Sequence, residues 1–119
     1  MGRVDILSAS AGSGKTYSLA FRYIKTLLEE PNNYRHILAV TFTNKATDEL
    51  KNRILTQLNL LAQGEKSDFD KDLRDGGYDM NLVATNAAEA RNLILHDYNN
   101  FAVMTIDKFF QRVMRSFIR

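Results

Sequence analysis

Ala9-Ser10-Ala11-Gly12-Ser13-Gly14-Lys15-Thr16 is the stretch that determines the fold, and the short, mainly apolar run Val4-Asp5-Ile6-Leu7 ends one residue before it. Its spacing is that of a Walker A loop, with alanine where the pattern usually begins with glycine. Small residues allow backbone N–H groups to converge on phosphate oxygens, and a helix that begins near Lys15 adds the positive end of its dipole. A strand, this turn and a helix in that order predict a P-loop that binds the phosphates of a nucleoside triphosphate.

The side chains at the end of this loop have predicted roles in binding and catalysis. Lys15 would place a full charge beside the β- and γ-phosphates, and the Thr16 hydroxyl is the predicted Mg²⁺ ligand. A dinucleotide-binding GxGxxG site does not fit, because Gly14 is followed by lysine. The predicted nucleotide-binding residues are Ala9, Ser10, Ala11, Gly12, Ser13, Gly14, Lys15, Thr16 and Tyr17. The loop alone leaves the reaction open, since kinases, GTPases, ATPases and motors all contain one.

Downstream of the loop, helical and strand patterns alternate. Residues 17–28 carry apolar side chains at three- and four-residue steps, which predicts a helix that Pro31 ends. The apolar run 37–40 shows no alternation, which predicts a strand covered on both faces. A second helix is predicted over 46–61, with Gly64 as its stop.

The remainder of the chain begins with residues 63–81, whose polar composition predicts a mobile connection on the surface. Asn86 with Glu89 resembles a capping box, which predicts the start of a third helix there. Residues 101–106 are the third predicted strand, and Asp107 is the predicted N-cap of a last helix. This alternation predicts an α/β fold, a parallel sheet with helices on its faces.

Bulk composition is that of one ordinary soluble domain. The chain has 119 residues, 45% hydrophobic and 25% charged, with a net charge of only +2. It has no cysteine and two histidines, which excludes a disulfide framework and disfavours a metal cluster. There is no secretory leader pattern and no apolar run of roughly 20 residues. A cytoplasmic protein without a membrane partner is therefore expected.

Two further segments carry a family resemblance. The stretch Thr41-Phe42-Thr43-Asn44-Lys45-Ala46, followed by Glu49-Leu50 and Arg53-Ile54, resembles motif Ia of the UvrD/Rep branch of superfamily 1 helicases, with Thr47 and Leu50 as departures. Thr105-Ile106-Asp107-Lys108-Phe109-Phe110 resembles the next family motif, with Lys108 in place of the usual serine. The aspartate in that motif and the following Gln111 are most similar to the RecB/AddA helicase–exonuclease subunits.

The resemblance implies a fold, a reaction and its partners. Residues 1–119 would be the N-terminal part of the first RecA-like domain of a DNA helicase, a three-layer P-loop NTPase, incomplete as a fragment. ATP and Mg²⁺ are the implied cofactors, and the parent protein would couple ATP hydrolysis to translocation on single-stranded DNA in recombination and repair. The implied partners are single-stranded and duplex DNA, the rest of the helicase chain, and a second helicase–nuclease subunit. The implied DNA-binding residues are Thr41, Phe42, Thr43, Asn44, Lys45, Thr105, Asp107 and Lys108.

Some of these residues have a second interpretation. Phe42 follows a strand, where it would stack on an unpaired base; in the second interpretation Phe42 packs in the core and Thr43 is the N-cap of the second helix. Lys108, Arg112, Arg115 and Arg119 share one face of the last predicted helix, opposite Phe110, Val113, Met114 and Phe117. That basic face is either a solvated surface or a groove that follows the DNA backbone.

Two other functions remain open at this point. One is a stand-alone P-loop nucleotide-binding module without helicase activity, and the other is a small-molecule kinase, which would leave residues 41–54 unexplained. The resemblance also implies an acid pair for Mg²⁺ and arginines from a second domain. No Asp-Glu pair follows an apolar strand here, so these 119 residues alone are expected to be inactive in hydrolysis.

Overall fold

A computed structural model of the chain describes residues 5–8 and 13–118, with side chains from residue 16 onward. The main elements in chain order are β1 (Asp5–Ser8), α1 (Ser13–Glu29), β2 (Ile37–Thr41), α2 (Asn44–Ala62), α3 (Asp70–Asp75), α4 (Met80–His96), β3 (Val103–Thr105) and α5 (Ile106–Phe117). Short 3₁₀ helices at Pro31–Arg35 and Tyr98–Asn100 precede β2 and β3. The predicted alternation of strands and helices is confirmed, and α3 is an addition to it.

The three strands form one parallel sheet in the order β1-β2-β3. β2 is the central strand, and all five of its residues are buried. Its uninterrupted apolar run thus reflects burial on both faces, as predicted for a parallel sheet.

The two faces of the sheet are covered unequally in the described part of the chain. Ile37, Ala39 and Val103 face the main core, to which α1, α2, α3 and α4 all contribute. Leu38, Val40 and Met104 face the other way and pack against Ile106 and Phe109 of α5. Helices on the faces of the sheet are therefore confirmed, but four of the five described helices lie on one side.

The prediction of a surface connection over residues 63–81 is wrong at its centre. Ser67, Phe69 and Leu73 are buried, and Phe69 lies against the rings of Tyr17 and Phe21 of α1. Three polar bonds hold the segment to α2. The Gln57 Oε1 accepts the Ser67 hydroxyl at 2.7 Å and the Asp68 N–H at 3.0 Å, and the Gln57 Nε2 donates to the Asp68 carboxylate at 3.1 Å. Polar composition is misleading here because only Ser67, Phe69 and Leu73 of residues 63–81 are buried, and most of their neighbours are polar and exposed.

Two predicted helix starts are also wrong. α4 begins at Met80, where Asp79 accepts the Asn81 N–H at 3.0 Å, and Asn86 lies in mid-helix and donates to the Leu28 carbonyl at 2.9 Å. Local sequence could not distinguish the Asn86 capping box from this long-range contact between helices.

At the last helix the N-cap is Thr105, not Asp107. The Thr105 Oγ1 accepts the Lys108 N–H at 3.2 Å, so α5 starts directly where β3 ends. Asp107 lies in the first turn, where a negative charge is favourable near the positive end of the helix dipole. β3 itself is shorter than the predicted strand 101–106, because Phe101 caps the preceding 3₁₀ turn and Ile106 is the first residue of α5.

Truncation of Phe69 tests the observed packing of this segment. Phe69→Ala is expected to destabilise the fold by about 3–5 kcal/mol, because it leaves a cavity between α1 and α3. Urea unfolding measures the change, and the exposed Lys71→Ala on the same helix is the control, with little effect expected. Equal stability of the two variants would mean that the segment does not pack as described.

Candidate nucleotide and nucleic-acid site

The predicted nucleotide-binding residues lie at the junction between β1 and α1. β1 ends at Ser8, which pairs with Val40 of β2, and α1 begins at Ser13. The predicted loop residues Ala9 to Gly12 lie outside the described residues, as do the side chains of Ser13 and Lys15. The 17-residue helix α1 begins five residues after the end of the parallel strand β1, so its N-terminus lies near the carboxyl edge of the sheet, where ligands of open α/β sheets bind.

Tyr17, one residue beyond the predicted Mg²⁺ ligand Thr16, is directed toward α3. Its hydroxyl lies 2.9 Å from the Asp72 carboxylate and 3.1 Å from the Asp68 carbonyl, and its ring meets the edge of Phe69 at 4.9 Å. Burial and then the hydrogen bond to Asp72 raise the pKa of this phenol, so it stays a proton donor. The predicted contact between Tyr17 and nucleotide stays a prediction.

The predicted DNA-binding residues lie where β2 and β3 end side by side. Thr41 pairs with Thr105 in the register of the sheet, so α2 and α5 both start at the same edge. Between these two helix starts is an open groove of about 380 Å³. It is lined by Phe42, Thr43, Asn44, Thr105, Asp107, Lys108 and Gln111. Six of the eight predicted DNA-binding residues are thereby brought together from segments about sixty residues apart in the chain.

Phe42 and Thr41 are neighbours in sequence with opposite environments. Phe42 is 64% exposed, so the interpretation of Phe42 as a core residue is wrong. Thr41 is only 5% exposed, and its Oγ1 lies 2.6 Å from the Thr47 Oγ1 and 3.2 Å from the Thr43 carbonyl oxygen. Thr41 therefore holds the backbone between β2 and α2 from its buried side. Thr47, a departure from the family pattern, supplies its partner.

The residues that flank Phe42 begin α2. The Thr43 hydroxyl accepts the Ala46 N–H at 3.0 Å, which makes Thr43 the N-cap, as predicted. Asn44 is the first helical residue and lines the groove, whereas Lys45 is exposed outside it. Helix N-termini and short polar side chains of this kind are suited to phosphate and sugar oxygens.

A second lysine near the groove was missed from sequence. The ammonium group of Lys51 lies 5.0 Å from the ring centroid of Tyr98, and burial and then repulsion from Lys108 lower its pKa. Asp48 partly offsets that shift. Lys51 stands seven residues, about two turns, beyond Asn44 on α2, so helical spacing could have indicated it. Gln111 likewise stands four residues after Asp107, on the same side of α5.

α5 has a split environment. Ile106 and Phe109 pack on the sheet, but Phe110, Met114 and Phe117 are exposed, as are Arg112 and Arg115 on the basic side. Arg119 lies outside the described residues. In the described part of the chain, no helix has the length and apolar content to cross a bilayer, and no three acidic, histidine or cysteine side chains gather as a metal site.

Comparisons with known proteins agree on one family. The sequence pattern described as the UvrD/REP helicase N-terminal domain matches residues 2–119. The RecB polypeptide of the RecBCD enzyme of Haemophilus influenzae is 30% identical over 132 aligned positions, which cover 98% of this chain and 11% of that protein. An ATP-dependent helicase/nuclease subunit of Bacillus cereus is 49% identical over 55 positions, 44% of this chain and 4% of that protein. The chain thus spans a small part of these relatives' length, and no solved structure matches it significantly.

The buried hydroxyl pair beside the groove generates a test. Thr41→Val keeps the shape of the side chain but removes the bond to Thr47, so a loss of about 1 kcal/mol in unfolding free energy is expected. Thr56→Val, the same change on the exposed side of α2, is the matched control and should be nearly neutral. Identical unfolding curves for both variants would show that the buried pair contributes nothing.

Proposed function

The chain belongs to the UvrD/REP helicase N-terminal domain family, and from this premise we propose that it is the ATP-binding part of an ATP-dependent DNA helicase that translocates on single-stranded DNA. Its sheet would be the first part of a RecA-like, three-layer P-loop NTPase domain. One observation carries the proposal: the carboxyl ends of all three strands meet at one edge, with the nucleotide junction after β1 and the open groove after β2 and β3.

At the nucleotide junction, the N-terminus of α1 would hold the triphosphate. Backbone N–H groups of residues 9–16 would donate to phosphate oxygens, Lys15 would neutralise charge on them, and the Thr16 hydroxyl would hold Mg²⁺. Mg²⁺ held there would neutralise part of the charge on the phosphates. Acid residues for water activation and arginines of a second domain would come from elsewhere in the complete helicase.

In the groove, Phe42 would stack on an unpaired base. Its exposed ring needs no rearrangement to do so, and stacking of this kind contributes roughly 1–3 kcal/mol per base without sequence preference. Thr43, Asn44 and Lys108 surround it with donors for phosphate and sugar, and Lys45 and Lys51 add positive charge nearby. Such a surface would bind single strands by backbone and ring contacts alone.

The relatives suggest a place for this helicase. Their printed names describe polypeptides of RecBCD and of a helicase/nuclease, so a helicase–exonuclease subunit of recombination and repair, paired with a second subunit in the cytoplasm, is proposed for the parent protein. The alternative, a stand-alone P-loop module, is favoured by no described contact, since it leaves the exposed Phe42 and the polar groove without a role.

Removal of the P-loop charge tests the nucleotide half. Lys15→Ala in the complete helicase is expected to lower DNA-stimulated ATP hydrolysis at least about a hundredfold, because the lysine stabilises phosphoryl charge in the transition state. Steady-state ATPase assays measure it, with single-stranded DNA affinity as the internal control that should persist. Undiminished hydrolysis would overturn the nucleotide assignment.

Removal of the exposed ring tests the DNA half. Phe42→Ala is expected to weaken binding of an oligothymidylate about 5- to 100-fold, the range of one lost stacking contact. Leu82→Ala, an equally exposed apolar truncation on α4, is the control and should leave binding unchanged.

Lys108→Ala should instead lower the slope of log affinity against log salt by about 0.7, for one phosphate contact. An unchanged oligothymidylate affinity in Phe42→Ala together with an unchanged salt slope in Lys108→Ala would contradict DNA binding in the groove.

A further inference from the structure

A cluster of five side chains beside the nucleotide junction joins α1, α2 and residues 67–75, which contain α3 and are called the α3 segment below. This Tyr17 cluster consists of Tyr17, Arg53, Asp68, Phe69 and Asp72. Tyr17 is its centre, because the α3 segment binds both its hydroxyl and its ring. The proposed chemistry of nucleotide and DNA uses none of these five contacts.

The α3 segment is itself fixed to α2, so Tyr17 is tied to a rigid support. The Arg53 guanidinium lies 5.8 Å from the ring centroid of Tyr17 and 3.6 Å from the Asp68 carboxylate. Gln57, one turn further along α2, holds Asp68 through its amide nitrogen at 3.1 Å and its carbonyl oxygen at 3.0 Å. Arg53 and Gln57 belong to the helix whose first turn forms the DNA groove.

The position of Tyr17 in α1 gives these contacts a consequence. Tyr17 stands four residues after the first residue of α1, so the cluster anchors the turn that carries residues 13–16. The backbone N–H groups of that turn can hold a phosphate only if the helix start keeps its orientation, since small misplacements of binding groups weaken binding strongly.

We propose that Tyr17 is a positioning residue for ATP, which holds the first turn of α1 in its phosphate-binding orientation through Asp72 and Phe69. Arg53 and Gln57 link that anchor to α2, so the helix of the DNA groove supports the helix of the P-loop. This inference rests on the proposed function, since it assigns a supporting contact to the same nucleotide site.

The test uses Tyr17→Phe and Asp72→Ala in the complete helicase, with Asp75→Ala as the matched control. Asp75 is an exposed aspartate on the same helix, and its carboxylate pairs with Lys71 at 2.8 Å instead of with Tyr17. ATP titrations of DNA-stimulated hydrolysis separate KM from kcat, and thermal unfolding reports stability.

Both test variants are expected to raise the KM for ATP roughly 3- to 10-fold, the effect of one lost hydrogen bond of ordinary strength, because the bond between Tyr17 and Asp72 is exposed to solvent. The double variant should show no further rise, because both changes remove the same contact. kcat, oligothymidylate affinity and the Asp75→Ala parameters should stay within twofold of the parent. Tyr17→Phe, which keeps the ring against Phe69, should perturb KM less than Tyr17→Ala.

An unchanged KM in both variants would overturn the inference, and so would a parallel loss of ATP and DNA affinity with lowered thermal stability, which is the result of a purely structural role. Lys15→Ala distinguishes a failure of the positioning role from a failure of the nucleotide site itself. If Lys15→Ala abolishes hydrolysis but the KM for ATP is unchanged in Tyr17→Phe and Asp72→Ala, only the positioning role is wrong. If Lys15→Ala has no effect, the nucleotide site itself is wrong, and the positioning role falls with it.

Discussion

The pairing of β2 with a parallel neighbour on each side is the constraint on which the rest of this structure depends. Parallel strands in register bring their carboxyl ends to a common edge, and here Ser8 is level with Val40, and Thr41 with Thr105. Each strand then leads into a helix at that edge. Three helix N-termini from distant parts of the chain are therefore gathered by the register of the sheet.

At the carboxyl edge of the sheet, the small polar residues have a different role at each junction between a strand and a helix. After β2 and β3, threonines cap the helices, which satisfies N–H groups that would otherwise lack partners and leaves neighbouring side chains at the groove. Thr41 is directed inward against Thr47, and Phe42 outward into solvent. An exposed aromatic ring above a buried hydroxyl pair combines a fixed backbone with an accessible stacking surface.

Away from the edge, the core connects the two halves of the candidate site. α1 and α2 share one hydrophobic cluster, and the α3 segment lies between them with Phe69 on α1 and its polar bonds on α2. The starts of α1 and α2 are therefore connected through packed side chains. The opposite face of the sheet has less cover in the described residues, and Phe110, Met114 and Phe117 of α5 are exposed.

Sequence by itself determined the local features of this protein. The Walker A spacing, the unbroken apolar run of β2 and the two family motifs predict the element order, the parallel sheet and the residues of the groove, because each depends on short-range spacing. Thr43 as an N-cap was readable for the same reason, since its hydroxyl bonds an N–H three residues away. The family assignment likewise depends on contiguous motifs.

Tertiary structure alone decided the features that depend on partners distant in the chain. Asn86 has the spacing of a cap yet bonds Leu28, and Phe69 sits in a polar stretch yet fills the core, because the partner that satisfies each is 58 or 48 residues away. The exposure of Phe42 and the orientation of Tyr17 toward α3 likewise depend on residues that are distant in the chain. Local pattern specifies which groups need a partner, and only the assembled helices and sheet determine which partner each one meets.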